Sequence, residues 1–224
     1  MTSDTAWPQF KTVNVVVDPP GWFTTFAKQL VARLTEAGHT ANLFEKQSEV
    51  ARGDVAFYLS CTGITPPEIL ARNQVNLVVH ASDLPKGRGF SPLAWQVFEG
   101  LNDIPVTMIT MEDEVDAGDI LMQRHLHFAG HELNDEMRTA MGQVIVDMCL
   151  DAVQVSERPN GRKQEGDSTW YRRRRPADSE LDPQKSIAEQ FNLLRIVDNE
   201  SYPAFFDLQG HRYILKIERV SEES

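Results

Sequence analysis

One stretch of the chain combines an imidazole, small polar residues and two glycines at the end of an apolar run: Asn76-Leu-Val-Val-His80-Ala-Ser82-Asp-Leu-Pro85-Lys86-Gly87-Arg88-Gly89. Val75 to Val79 reads as a buried strand, and in open parallel sheets ligands collect where such strands give way to loops. A histidine at that mouth can exchange a proton near neutral pH, although a histidine that merely caps the strand explains this signal equally well when it is taken alone. A second stretch, Val115-Asp116-Ala117-Gly118-Asp119-Ile120-Leu121, sets two carboxylates around a glycine, again after an apolar run, Val106 to Met111. A carboxylate within hydrogen-bond reach of a histidine orients the ring and favours its protonated form, so one of the two aspartates is a candidate partner for His80. Alone, such a stretch is more often an ordinary turn.

Both segments need a rigid frame, and the rest of the sequence describes one. Val13 to Val17 is a β-branched run that stops at the turn-forming Asp18-Pro19-Pro20-Gly21. Phe23, Phe26, Ala27, Leu30 and Leu34 then share one helical stripe, closed by Gly38. Weak strands follow at Ala41 to Phe44 and Asp54 to Ser60, with a helix opened by Pro66-Pro67. After Val75 to Val79 come a short helix (Pro92 to Gly100), a strand (Val106 to Met111) and a hairpin (Ile120 to Gln123 with Leu126 to Phe128). Repeated strand–helix units predict an α/β fold, a Rossmann-like, mostly parallel twisted sheet with helices on both faces.

The most regular helix is capped by Asn134 or Asp135 and carries Met137, Met141, Val144, Ile145, Met148 and Ala152 at helical spacing, a core stripe rather than a cofactor box. Ser156 to Tyr171, rich in Gly, Asn, Pro and charge, reads as an exposed connection. It divides a catalytic domain, residues 1–155, from residues 156–224, a connecting loop and a short C-terminal α+β extension. That extension holds a helix from Asp182 to Val197 and a hairpin, Ala204 to Leu208 and Tyr213 to Ile217, turning at Gln209-Gly210.

The 33 acidic and 22 basic side chains give a formal charge of -11, which repels polyanions and argues against nucleic acid as the main partner. No run approaches the ~20 apolar residues that span a bilayer, and the start, MTSDTAWPQFK, lacks signal-peptide order, so no membrane partner and a cytoplasmic location are expected. Cys61 and Cys149 have no close cysteine partners and read as packing residues. His39, His125, His127, His131 and His211 have no ligand spacing that compels a metal site; His125-x-His127 alone is weak, and no metal is expected.

Together, residues 75 to 123 resemble the folate-dependent formyltransferases. That family's pattern is a histidine, a Ser-Leu-Leu-Pro stretch, an Arg-Gly, a Val-Thr strand and Asp-x-Gly-Asp-Ile. Here it is matched in order by His80, Ser82-Asp83-Leu84-Pro85, Arg88-Gly89, Val106-Thr107 and Asp116-Ala117-Gly118-Asp119-Ile120. The wording from Asn76 to Pro92, with Gln190 to Glu200 and Pro203-Ala-Phe-Phe206, looks most like a branch of sugar-nucleotide N-formyltransferases associated with the pseudaminic and other nonulosonic acid pathways.

The resemblance implies a cosubstrate, 10-formyltetrahydrofolate, and an acceptor, a nucleotide-linked amino sugar, in an enzyme that often forms a homodimer. His80 and Asp116 match two members of the family's Asn-His-Asp triad. The asparagine usually stands two residues before the histidine, where this chain has Val78; Asn76, four before, is assigned the role, and on a regular strand it lies about 7 Å deeper than the usual position. The pterin is expected near Cys61, Thr62, Gly63 and Ile64 and the strand end Met111 to Val115, held by backbone groups. Ser82, Lys86 and Arg88 are the expected substrate contacts beside the active centre; Asp198, Asn199 and Phe205 read equally as walls of the acceptor pocket or as simple packing. Arg172 to Arg175 either attracts a diphosphate or is a solvated face. Glycinamide ribonucleotide and methionyl-tRNA are rival acceptors. A catalytically silent folate or nucleotide-sugar binding protein is the rival from another class.

Overall fold

The computed structural model describes residues 9, 11–112, 114–157 and 159–220. Its first strand, β1 (Thr12–Val16), is the expected β-branched run, buried from Val13 onward. Helix α1 (Thr24–Glu36) turns Ala27, Leu30 and Leu34 into the core. Gly38 ends it with φ of 89°, a left-handed conformation that costs glycine little. Strands β2 (Thr40–Phe44) and β3 (Gly53–Tyr58) flank β1 in parallel. The one-turn helix α2 (Pro67–Leu70) leads into β4 (Asn73–His80), parallel to β3.

A loop containing the two-residue β5 (Arg88–Gly89) and the short α3 (Pro92–Phe98) follows. Strands β6 (Asp103–Thr110) and β7 (Ile120–His127) then complete a sheet ordered β2-β1-β3-β4-β6-β7. The sheet is mostly parallel, with one reversal. Strand β6 runs antiparallel to β4, with Thr107 opposite His80. The expected hairpin at Ile120 to Phe128 is instead one edge strand. It pairs with β6 from Asp103–His127 to Ile109–Ile120, with an irregularity between Met108 and Ile109. Polar Arg124 and His125 resemble a turn in sequence, yet on the edge strand they pair with Asp151 and Asp103.

Helix α4 (Asn134–Gln154) packs on α1 so closely that a Cβ on Gly142 would meet the Phe26 ring at 2.6 Å. Its first turn is capped by Glu136, whose carboxylate accepts the Leu133 N–H at 2.9 Å, rather than by Asn134 or Asp135. No helix among the described residues is long and apolar enough to cross a membrane.

Beyond α4 lie β8 (Trp170–Tyr171), which pairs with β5, the helix α5 (Phe191–Ile196), and a hairpin of β9 (Ala204–Leu208) and β10 (His211–Leu215). Helix α5 is shorter than the sequence predicts. Pro183 and two side-chain acceptors, Asp182 for the Gln184 N–H and Glu189 for the Ser186 N–H, hold residues 182–186 in turns. Gln209 and Gly210 both take positive φ, 51° and 80°, which suits the twist of a two-residue hairpin.

Arg195 ties this extension to the sheet. Its guanidinium is fully buried, and it donates to the Glu132 carbonyl at 3.1 Å and to Asn102 Oδ1 at 2.8 Å. The Glu132 carboxylate lies 3.5 Å from it. Removing the cation strands Glu132 and Asn102, so Arg195→Met should cost about 3 kcal/mol. A thermal melt should then show the midpoint falling by roughly 6–12 °C, and an unchanged midpoint would refute the clip.

Candidate active site

His80 ends β4 at the mouth of the sheet, and both its ring nitrogens face oxygen. Nε2 lies 2.7 Å from the Gly87 carbonyl, and Nδ1 lies 3.6 Å from Asp116 Oδ1. The second contact is a charge contact beyond hydrogen-bond length. A neutral imidazole has one N–H and cannot donate to both, whereas the doubly protonated ring has a donor for each. Asp116 Oδ2 accepts the Gly89 N–H at 2.9 Å. Both side chains are largely shielded, 8% and 11% exposed, so water screens the pair poorly. Asp119, the other carboxylate of the motif, faces Lys163 at 2.9 Å instead. Asp116 is therefore the partner.

Two glycines make this approach sterically feasible. A Cβ on Gly118 would stand 1.6 Å from the Thr110 carbonyl, and one on Gly89, where φ is 97°, would stand 2.3 Å from that of Tyr171. Any side chain at either position pushes a loop of the site away.

The structure does not bring Asn76 to this pair. Its amide donates to the Leu70 carbonyl at 2.9 Å, and β4 runs in unbroken register with β3 as far as Val78. Without a bulge, four residues separate Asn76 from His80 by ~13 Å along the strand. Val78, in the position where the resemblance places an asparagine, packs against Leu84, Ile109 and Ile120.

The two segments expected around a pterin do converge. Cys61 and Met111 pack into one cluster with Tyr58, Ile69 and Leu70, on the sheet face that also carries Asn76, Val78 and His80. Ile64 at its rim is 80% exposed. Thr62 donates its N–H to the Asp18 carbonyl, and the Gly63 carbonyl accepts from Gln47. Val115 is exposed, and Asp113 lies outside the described residues. Tyr58 Oη and Asn76 Oδ1 are buried there without a hydrogen-bond partner among the described residues.

The expected substrate contacts divide. Lys86 is exposed beside the pair, Ser82 is buried with its hydroxyl unpartnered among the described residues, and Arg88 is buried and engaged by Glu114 at 2.6 Å and Gln164 at 2.9 Å. Asp198 and Asn199 line a separate cleft of about 580 Å³ between the start of α4 and the C-terminal tail. There Asp198 binds Arg138 at 2.6 Å, and Asn199 binds the Ile217 backbone. Phe205 is buried under the Arg212 guanidinium. The residues lining that cleft do not include His80 or Asp116. Three guanidiniums of the arginine run are engaged: Arg172 pairs with Asp178 and lies over Trp95, Arg173 lies over Phe90, and Arg174 donates to the Ile196 carbonyl. Among the described residues no group of three or more His, Cys, Asp or Glu is arranged to hold a metal ion.

Sequence reasoning missed three contributors: Tyr58, Gln164 and Thr169. Thr169 accepts the Gly87 N–H at 2.8 Å through its hydroxyl. Neither Gln164 nor Thr169 carries charge or lies near a motif in the chain, so no spacing signal marks them.

The formyl transferase family matches residues 9–152. Several solved structures share the fold. A methionyl-tRNA formyltransferase from Clostridium thermocellum is 22% identical over 95% of each chain, with a TM-score of 0.78. A sugar N-formyltransferase from a Shewanella species is 15% identical over 94% of this chain and 99% of that one, with a TM-score of 0.64. HypX from Aquifex aeolicus in complex with tetrahydrofolic acid is 15% identical, with a TM-score of 0.71, covering 92% of this chain and 37% of that one. At such identities the likeness establishes the fold alone.

Burial pushes the Cys61 thiol up to about 11 from 9.0, with hydrogen-bonded backbone groups opposing the shift, and the Tyr58 phenol up to about 12. Folding thus raises the proton affinity of Cys61. The stability it adds is complete below pH 9 and is lost as the pH rises through 11. At pH 8.5 the native thiol should alkylate with iodoacetamide at least ~10-fold more slowly than the unfolded chain's, since thiolate is the reactive form; equal rates would contradict the burial of this cluster.

Proposed function

This chain belongs to the formyl transferase family, and on that premise we propose that it moves a formyl group from 10-formyltetrahydrofolate to the amine of a nucleotide-linked amino sugar. The observation that carries the reading is the shielded His80–Asp116 pair at the mouth of the central sheet. Bound folate supplies the electrophilic carbon. Attack by an amine places negative charge on the former carbonyl oxygen, and that charge must meet a fixed donor; collapse then breaks the formyl C–N10 bond, the amine losing a proton and N10 gaining one as tetrahydrofolate leaves. The Gly87 carbonyl marks the direction in which His80 Nε2 donates; the formyl oxygen takes over that donor once the Lys86–Gly87 turn yields. Asp116, 3.6 Å from Nδ1, orients the ring. With Asn76 turned to Leu70, the second donor on this reading is a backbone N–H.

Support for the folate comes from chemistry as well as kinship. A pterin edge presents alternating donors and acceptors, and the cluster that includes Tyr58 and Cys61 lies on the sheet face where Tyr58 Oη and Asn76 Oδ1 have no hydrogen-bond partner among the described residues. The acceptor is argued from charge and resemblance. A net charge of -11 disfavours tRNA, and the wording of residues 190–206 resembles the sugar branch associated with pseudaminic acid. A cytoplasmic enzyme meets both folate and sugar nucleotides.

One different reading has a specific observation behind it. Val78 in place of an asparagine, and a His80 whose two nitrogens are already engaged, suit a protein that binds folate or a nucleotide sugar without turnover.

One assay separates the two. Incubation with 10-formyltetrahydrofolate and a panel of nucleotide-linked amino sugars, read by mass spectrometry, should show an added formyl group on one acceptor. His80→Asn and Asp116→Asn should each lower kcat by ~100-fold or more. Folate binding without formylation of any acceptor, equally in wild type and His80→Asn, would establish the silent binder.

A further inference from the structure

The segment between α4 and β8 reads as a plain connection in the sequence, yet residues 161–171 cross both loops that bear the reacting pair. Arg162 exchanges two backbone hydrogen bonds with Ile120, at 2.7 and 2.9 Å, immediately after the Asp116–Asp119 turn. Gly161 lies so near Asp119 that a Cβ there would meet its Cβ at 2.6 Å. Thr169 receives N–H groups from Gly87 through its hydroxyl and from Arg88 through its carbonyl. One short segment therefore touches the turn beside Asp116 and also the residue whose carbonyl engages His80.

Gln164 stands between these anchors. Its amide nitrogen donates to the carbonyl of Asp116 and to that of Gly118, each at 2.8 Å. Its amide oxygen accepts from Arg88 Nη2 at 2.9 Å, and Arg88 is itself fixed by Glu114. Both amide protons and the carbonyl oxygen are thus used. We propose that Gln164 is a positioning residue for Asp116, holding the turn that presents the carboxylate to His80; the inference rests on reading those two residues as the reacting pair.

The turn needs such a tie. Asp116 has φ of 54°, a left-handed conformation that costs a residue with a Cβ about 1 kcal/mol or more. Within the turn, the Ala117 N–H reaches the Glu114 carbonyl only at 3.3 Å. The carbonyl that Gln164 holds belongs to Asp116 itself, so the tie acts on the same backbone residue that carries the carboxylate. A displacement near 1 Å at a reacting pair is enough for a large loss of rate.

The side chain must also be an amide. A carboxylate at position 164 would gain charge attraction from Arg88 while turning an oxygen toward two carbonyl oxygens, which repels the turn. A methionine of similar length would leave both carbonyls without a donor.

The test uses the full chain labelled with 15N. The ring nitrogens of His80, assigned by their loss in His80→Asn, are compared at one pH in wild type, Asp116→Asn, Gln164→Glu and Gln164→Met. Both Gln164 variants should move the His80 signals in the direction that Asp116→Asn moves them, while those of His125 and His127 stay in place and report an intact fold. In the formylation assay the same variants should lower kcat about 10- to 100-fold with KM changed less than about 3-fold.

His80 signals that match wild type in whichever Gln164 variant folds would overturn the proposal, as would signals that Asp116→Asn fails to move. The spectra need no turnover. A wild-type protein that formylates nothing would therefore defeat the functional reading while leaving the positioning of Asp116 to be decided by the resonances.

Discussion

The contact between a buried imidazole and a buried carboxylate constrains the whole molecule. His80 and Asp116 belong to loops on different strands, and each side chain must leave water to meet the other. Two polar groups accept that cost only where hydrogen bonds and opposite charge replace the lost solvent. The Gly87 carbonyl and the Gly89 N–H supply the replacements. The glycines at 89 and 118 are consequences of the same demand, because backbone approaches backbone there at distances that no Cβ survives.

The reversal of β6 serves this geometry. With β6 antiparallel to β4, Thr107 stands opposite His80 and its hydroxyl donates to the Ser82 carbonyl at 2.7 Å, fixing the first residues of the loop. The chain then leaves β6 beside Asn76, where the Met111 N–H meets the Asn76 carbonyl, and climbs back over the sheet face toward His80. A parallel β6 would have delivered the acidic turn to another part of the sheet. The strand order thus explains how two motifs distant in sequence come to face each other.

The C-terminal third is more than an appendage to this frame. Arg195 anchors it at Glu132 and Asn102, and the strap at residues 161–171 lies directly on the two loops. The arginine run shows a related economy of charge. In a chain with 33 acidic side chains, Arg172 pairs with Asp178 and lies over Trp95, and Arg174 reaches the end of α5. Their positive charge is spent within the fold, and local pairing lowers Asp178 below the usual carboxylate range through its hydrogen bond to Arg172.

The sequence by itself determined the α/β architecture, the order of its main strands and helices, and the pairing of a strand-end histidine with an acidic glycine turn. Those features depend on hydrophobic period and turn chemistry, which act over a few residues and leave a readable pattern. The tertiary structure sets Asp116, which the resemblance had already singled out, rather than Asp119 against His80, and it alone decided that Asn76 turns to Leu70. It also decided that Asp198 and Asn199 line a cleft separate from His80, that Phe205 lies under Arg212, and that Ile120 to His127 is one edge strand. Each of those outcomes depends on contacts between segments far apart in the chain. Gln164 is the clearest instance: an uncharged side chain in a polar connection gives no periodic signal, and its role exists only because folding lays that connection across the turn it holds.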